Sequence, residues 1–442
     1  MMNSRREPQP HAWDVKKAYQ PVTFTAENLP AGDLRLFNRY DFRDLSALDF
    51  IWRVEEDGQV IASGPLRVPS IAARASGVVR VPIPSLSPRA GSEYFLTVEA
   101  RARQADGFVP KGHVVAWEQF QLPLYALPER VSSKRDPRLE VTDGEKQLTV
   151  AGRDFSVRFD KANGALVSLR SAQKELLAGG LLPHFWRAPT DNDIGAKLPE
   201  RLALWKTLPG SAILRSFAHE READGAILIR TRTTMGEAAI DFDVTYRIDP
   251  AGSVRVSVSF DPRRVDLPHL PRLGMQFMTP AELSTIEWFG RGPQESYPDR
   301  WAAAPVGRYG GAVAEQFYPY VRPQESGNKV DVRWMSVRTE AGAGLLVVGE
   351  PTFSGTALNV LDEDIDYSPE HQLHSVDVQP RDVTVVHVDL KQMGLGGDDS
   401  WRSTAHPEHL IWPRAYQYRF TLLPIHAGED ANALVRQQRK LP

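Results

Sequence analysis

Phe242-Asp243-Val244-Thr245-Tyr246-Arg247-Ile248 alternates apolar and polar residues, and after Asp249-Pro250-Ala251-Gly252 the run Val254-Arg255-Val256-Ser257-Val258-Ser259-Phe260 resumes the same period. A period of two sends successive side chains to opposite faces of an extended chain, so each run buries one face. With turn residues between them, the two runs predict an antiparallel hairpin. Asn163-Gly164, between Phe155-Ser156-Val157 and Leu166-Val167, predicts a second hairpin, because Asn-Gly supplies the positive φ angles of a two-residue turn. Asp57-Gly58, between the apolar stretch 48–54 and Val60-Ile61, marks a third. Helical spacing is confined to 197–206 and 430–439. Strands do not alternate with helices, which argues against a (β/α)8 barrel or a doubly wound sheet. The fold class is all-β.

Working outward, the 442 residues suffice for two or three domains and a core that needs no staple. The chain has no cysteine, which excludes a disulfide framework, thiolate chemistry and Cys-ligated zinc. A net charge of −3 argues against nucleic acid as a partner. No apolar run approaches the roughly 18–20 residues that span a bilayer, so no membrane role is expected. Residues 1–10 are polar and charged, without a signal peptide, and a cytoplasmic location is expected. Seven candidate strands between residues 22 and 122 fit an immunoglobulin-like β-sandwich. Pro123-Leu124-Tyr125-Ala126-Leu127-Pro128, followed by charged residues and Pro137, resembles a linker. The expected division is a leading segment 1–20, a sandwich 21–123, a linker 124–137, a large antiparallel domain 138–425 and a tail 426–442.

Three segments could carry chemistry. Arg187-Ala188-Pro189-Thr190-Asp191-Asn192-Asp193-Ile194-Gly195 reads as a loop that binds a polyol or a cation, or as a self-bonded Asx turn. The second reading is the stronger on residues alone. Trp288-Phe289-Gly290-Arg291-Gly292-Pro293-Gln294-Glu295-Ser296-Tyr297-Pro298-Asp299-Arg300 lacks the G-K-[ST] ending of a phosphate loop and reads as a structural loop held by Arg–carboxylate pairs. Gly394-Leu395-Gly396-Gly397-Asp398-Asp399-Ser400-Trp401 is a glycine-rich turn presenting two acids and a tryptophan. That indole serves equally as core or as a stacking surface for a pyranose. His406-Pro407-Glu408-His409 has the wrong spacing for a helical zinc site, and no metal is expected in this chain.

Taken together these segments resemble the C-terminal region of glycoside hydrolase family 2 β-galactosidases. The match runs from His184-Phe185-Trp186-Arg187-Ala188-Pro189 and Asp191-Asn192-Asp193-Ile194-Gly195 through Gly292-Pro293-Gln294-Glu295 and Tyr297-Pro298-Asp299-Arg300. It continues in Tyr320-Val321, Pro323 to Glu325, Asn328 and Arg333-Trp334, and ends in Gly396-Gly397-Asp398-Asp399-Ser400-Trp401 and Tyr416-Gln417-Tyr418.

The resemblance implies a sandwich followed by a large β-supersandwich similar to the galactose mutarotase fold. It implies that the two catalytic glutamates, with their magnesium and sodium, belong to a barrel that this chain lacks. Retaining hydrolysis needs two carboxyl groups about 5–5.5 Å apart. No catalytic residue or cofactor is therefore assigned here, and the isolated chain is expected to be inactive. Its expected role is a non-catalytic part or small subunit of an enzyme hydrolysing β-galactosides such as lactose. The implied partners are a barrel-bearing large subunit or N-terminal domains, the substrate, and further copies in a homo-oligomer. Trp401 corresponds to the family's sugar-packing tryptophan, and Asp399 beside it is the second substrate-binding candidate. Gly195 corresponds to the glycine opening an active-site loop, which Asp191, Asn192 and Asp193 shape. The stretch 196–205 is shorter than in the best-known members. Two other readings remain: a stand-alone carbohydrate-binding protein, and a mutarotase-like epimerase drawing on His374, His387, His406 or His409.

Overall fold

The computed structural model describes residues 1–126, 138–236, 240–264, 266–366, 373–398 and 404–438. It divides into two compact units. One holds the described residues of Met1–Val131 together with Pro305–Arg308 and Asn432–Pro442. The other holds those of Ser132–Ala304 and Tyr309–Ala431. Of the stretch 124–137 read as a linker, residues 127–137 lie outside the described residues.

The first unit is a sandwich of seven strands. Val22–Asn28, Asp33–Asn38 and Ser76–Arg80 form one sheet, and Leu48–Glu56, Gln59–Leu66, Tyr94–Ala102 and Val114–Leu122 the other. Val22, Leu34, Leu36, Val54, Leu96 and Val98 are among the side chains wholly buried between them. The turn at Asp57-Gly58 has φ +47 and +79, the left-handed pair that a two-residue hairpin requires. Asp57 is also held from the helix Ala431–Gln438, by Asn432 on its carbonyl (3.1 Å) and Arg436 on its carboxylate (2.7 Å).

The second unit is one long, curled antiparallel sheet. The expected hairpin is Ile240–Ile248 against Val254–Pro262, with Ile248 opposite Val254 and Phe242 opposite Phe260. Its inward residues join Phe159, Phe185 and Trp205 in the main core. The Asn163-Gly164 hairpin differs from the expectation. Only Gly164 has positive φ, and the strands Phe155–Asp160 and Leu166–Ser171 meet through a wider loop with a register shift at Phe159.

Helices are few and short. The stretch 197–206 forms two, Leu198–Arg201 and Ala203–Thr207, with Leu198, Leu202 and Trp205 buried on the core. His11–Ala18, Asp191–Gly195 and Asp362–Ile365 are helices that spacing did not predict. Among the described residues no helix is long and apolar enough to cross a membrane.

Candidate functional site

Thr190-Asp191-Asn192-Asp193 starts a helix, where the sequence suggested an Asx turn. The Thr190 hydroxyl accepts from the Asp193 amide (3.1 Å) and the Asp193 carboxylate accepts from the Thr190 amide (3.0 Å). This reciprocal capping satisfies two otherwise orphaned donors and fixes Asp193 in place.

Asp193 also receives Arg187, whose Nε and Nη2 donate to its two oxygens at 3.1 and 2.9 Å. Both side chains are buried. The remaining guanidinium donors go to the carbonyls of Met393 (2.8 Å) and Gly394 (3.1 Å). A buried ion pair is tolerated when its geometry is good and its spare donors are satisfied. Burial works against the charge of Arg187, but the neighbouring Asp193 outweighs it and raises the pKa.

The glycine-rich segment is thereby held from several directions. Asn192 Nδ2 donates to the Leu395 carbonyl (3.1 Å). Asp299 accepts from the amides of Leu395 (2.9 Å) and Gly396 (2.8 Å). The Gly394 amide donates to the His409 carbonyl (2.8 Å). A β-carbon on residue 394 would stand 2.4 Å from Asp299 Oδ2, so glycine alone permits the approach. Asp191 extends the contact to a fourth segment, accepting from Arg322 (2.8 Å) and Gln324 (3.0 Å). On the far side, His406 Nε2 lies 2.8 Å from Asp398 Oδ2. Asp399 and Trp401 lie outside the described residues.

The structure thus brings Asp191, Asn192 and Asp193 to the base of the turn that leads to Asp399 and Trp401. Gly195 ends the helix, and the stretch after it packs down through Leu198, Leu202 and Trp205, whose indole donates to the His269 carbonyl (3.0 Å).

A second cluster surrounds Arg272, which is wholly buried. Its Nη2 donates to Glu325 (3.0 Å), its Nη1 to His387 Nδ1 (2.6 Å), and its Nε lies 3.3 Å from Asp389. Burial pushes the Asp389 carboxyl up to about 8 and lowers His184 and His387. Burial opposes the charge of Asp362, yet Arg272 and His184 hold it below the ordinary aspartate range. His184, Asp362 and His387 offer three donor atoms that could hold a metal. Arg272 Nη1 already sits among them, 3.3 Å from His184 Nδ1 and 3.8 Å from Asp362 Oδ2. A fixed positive charge there does not fit a metal ion, and the all-oxygen preference of magnesium does not fit this set.

Sequence reasoning missed this network. Its trace is a polar alternation in strands that are otherwise buried: Arg272, Gly274 and Gln276 in Arg272–Pro280, and His387 and Asp389 in Val383–Gln392. Those strands pair with Gly274 opposite Asp389 and Gln276 opposite His387, so the polar residues share one face. The histidines singled out from sequence are not gathered: His387 belongs to this buried cluster, His374 faces Asp377 and His406 faces Asp398, both at the surface.

The chain matches the family model described as beta galactosidase small chain over residues 151–422, and that of beta-galactosidase domain 4 over residues 34–123. The first match covers more than half of the chain, which therefore belongs to the β-galactosidase small-chain family. The β-galactosidase of Priestia megaterium is 35% identical over 421 residues, covering 94% of this chain and 40% of that protein. That of Lactobacillus delbrueckii subsp. bulgaricus is 33% identical, covering 95% of this chain and 40% of that protein. The chain thus spans about 40% of the length of these relatives. Among solved structures, a galactose mutarotase related enzyme from Lactobacillus acidophilus aligns with TM-score 0.34 and 10% identity, over 64% of this chain and 99% of that one.

Proposed function

We propose that this chain is a non-catalytic part of a β-galactosidase, forming one wall of an active site whose catalytic barrel lies elsewhere. The observation that carries this reading is the buried Arg187–Asp193 pair and the hydrogen bonds by which it, Asn192 and Asp299 hold segment 393–396. Four separate stretches of sequence are spent on positioning one short turn. A turn of no function would not call for a buried ion pair, which is weak evidence for stability by itself. In this reading Trp401 stacks on the galactosyl ring and Asp399 bonds its hydroxyls. The barrel supplies both catalytic carboxylates, its magnesium and its sodium, and comes as a large subunit or as N-terminal domains.

A chimera tests it. This chain replaces the matched region of the Priestia megaterium enzyme, and hydrolysis of a chromogenic β-galactoside is followed. Trp401→Ala should raise KM or lower kcat by at least about tenfold, a loss of roughly 1.4 kcal/mol of transition-state binding. Unchanged kinetics in Trp401→Ala and Asn192→Ala together would count against a wall at this turn.

A further inference from the structure

Two phenylalanines of the sandwich stand wholly exposed, Phe42 and Phe108. Both are carried on anchored backbone. Phe108 tops a tight turn in which Asp106 and Val109 exchange backbone hydrogen bonds (2.9 and 3.0 Å), and Gly107 supplies the positive φ such a turn needs. Phe42 lies between two tethered residues. Asp41 accepts from Arg74 (2.7 Å), while Arg43 donates to Asp106 (2.9 Å) and its carbonyl accepts from Asn38 (2.9 Å). The Arg43–Asp106 pair ties the two loops together, so both phenylalanines belong to one rim.

Between these loops opens a cleft of about 430 Å³. Its walls can be reached: Ala47 and Ala105 are exposed, and Tyr40, Val109 and Val115 are half-buried. Its two arginines are neutralised, Arg43 by Asp106 and Arg103 by Asp49 (2.8 Å). A single exposed apolar side chain needs no explanation. Two anchored aromatic side chains beside a cleft with apolar walls form the kind of patch that marks an interface.

We propose that this face pairs with the same face of a second copy of the chain across a two-fold axis, the Phe42 and Phe108 rings of each copy entering the cleft of the other. An isologous contact needs a surface that complements itself, which a knob beside a hole provides. Clefts of roughly 300–1,000 Å³ bury drug-sized molecules, so the volume admits both rings. Aromatic side chains bury roughly 150–250 Å² each, so the four rings of a dimer account for about 600–1,000 Å². The cleft walls facing them add a comparable area, which reaches the roughly 1,200–2,000 Å² of a stable interface. The paired arginines leave no free charge to repel its counterpart across the axis. The surface lies within the sandwich and is independent of the reading given under Proposed function.

The experiment follows the mass of the 442-residue chain by sedimentation equilibrium at rising concentration. A dimer is expected with Kd on the order of 1–10 µM. Phe42→Ser combined with Phe108→Ser removes the knobs, and Ala105→Trp fills the cleft; each should weaken self-association at least about tenfold. Mixing the two variants tests the geometry. The rings of the Ala105→Trp chain then meet the open cleft of the ring-less chain, which restores one of the two knob-and-hole contacts. The mixed dimer should therefore form at least about tenfold more tightly than either variant pairs with itself. Gln104→Trp, on an exposed residue of the same cleft, replaces Ala105→Trp if that variant fails to fold. The proposal is overturned if the parent chain stays monomeric up to about 100 µM, the cleft then serving some other partner. It is equally overturned if the ring-less chain pairs as tightly as the parent, or if the mixture is no tighter than the variants alone.

Discussion

Arg187 and Asp193 pair edge to edge, Nε to Oδ2 at 3.1 Å and Nη2 to Oδ1 at 2.9 Å, with both side chains buried. Six residues apart in sequence, they join the end of one strand region to the first turn of a helix, and the same arginine holds the carbonyls of Met393 and Gly394. The pair therefore couples the stability of the fold to the placement of the turn that precedes Trp401.

Removing one partner leaves the other as an uncompensated buried charge. Asp193→Ala should cost about 3–5 kcal/mol in urea unfolding. The double variant Arg187→Met with Asp193→Leu should be less destabilised than either single variant, since no lone charge remains. In the chimera it should still lower activity, because the carbonyls at 393 and 394 have lost their donor. A double variant as active as the parent would mean that the arginine serves stability alone.

Gly394 is where the backbone passes closest to Asp299. Gly394→Ala should destabilise by about 1–3 kcal/mol, the usual cost of forcing a methyl into an occupied space. It should also speed hydrogen exchange at the amides of Leu395 and Gly396, which Asp299 holds. Gly210→Ala is the control: nothing lies within 4 Å of the added carbon, and stability should change by less than about 1 kcal/mol.

The Asp389 carboxyl is pushed up to about 8 by burial, with Arg272, Glu325, Asp362 and Tyr418 as its charged or titratable neighbours. Room for it exists only because residue 274 is glycine; a β-carbon there would lie 1.8 Å from Asp389 Oδ1. Unfolded, Asp389 ionises near 3.8. Between 3.8 and about 8 the folded chain keeps a proton that the unfolded chain has released, so this group removes stability as pH rises through that window. Asp389→Asn should therefore gain stability relative to the parent on going from pH 5 to pH 8, by about 1 kcal/mol or more. A pH-independent difference between the two would show that Asp389 does not titrate there.

Much of this was legible in the alternation of Phe242 to Phe260, which predicted the sheet class and the hairpin, and in Asp57-Gly58, whose two left-handed residues set a tight turn. The Asn163-Gly164 turn was misjudged because the strands around it shift register, a tertiary effect that local turn chemistry does not encode. Asp193 was visible as a motif residue, but its partner was not: that Arg187 turns inward depends on the carbonyls of Met393 and Gly394, two hundred residues away. Arg272 escaped notice for the same reason. A charge in a buried strand becomes interpretable only when the neighbouring strands bring Glu325, His387 and Asp389 to it.

The central claim is that the catalytic carboxylates lie outside this chain. The most direct measurement is hydrolysis of a chromogenic β-galactoside by the purified chain at high concentration, alone and then mixed with the portion of the Priestia megaterium enzyme outside the matched region. The account predicts no turnover by the chain alone and turnover in the mixture. Turnover that copurifies with the chain alone, and persists in a preparation checked against host enzyme, would contradict it and place a catalytic carboxylate pair within this β-rich fold.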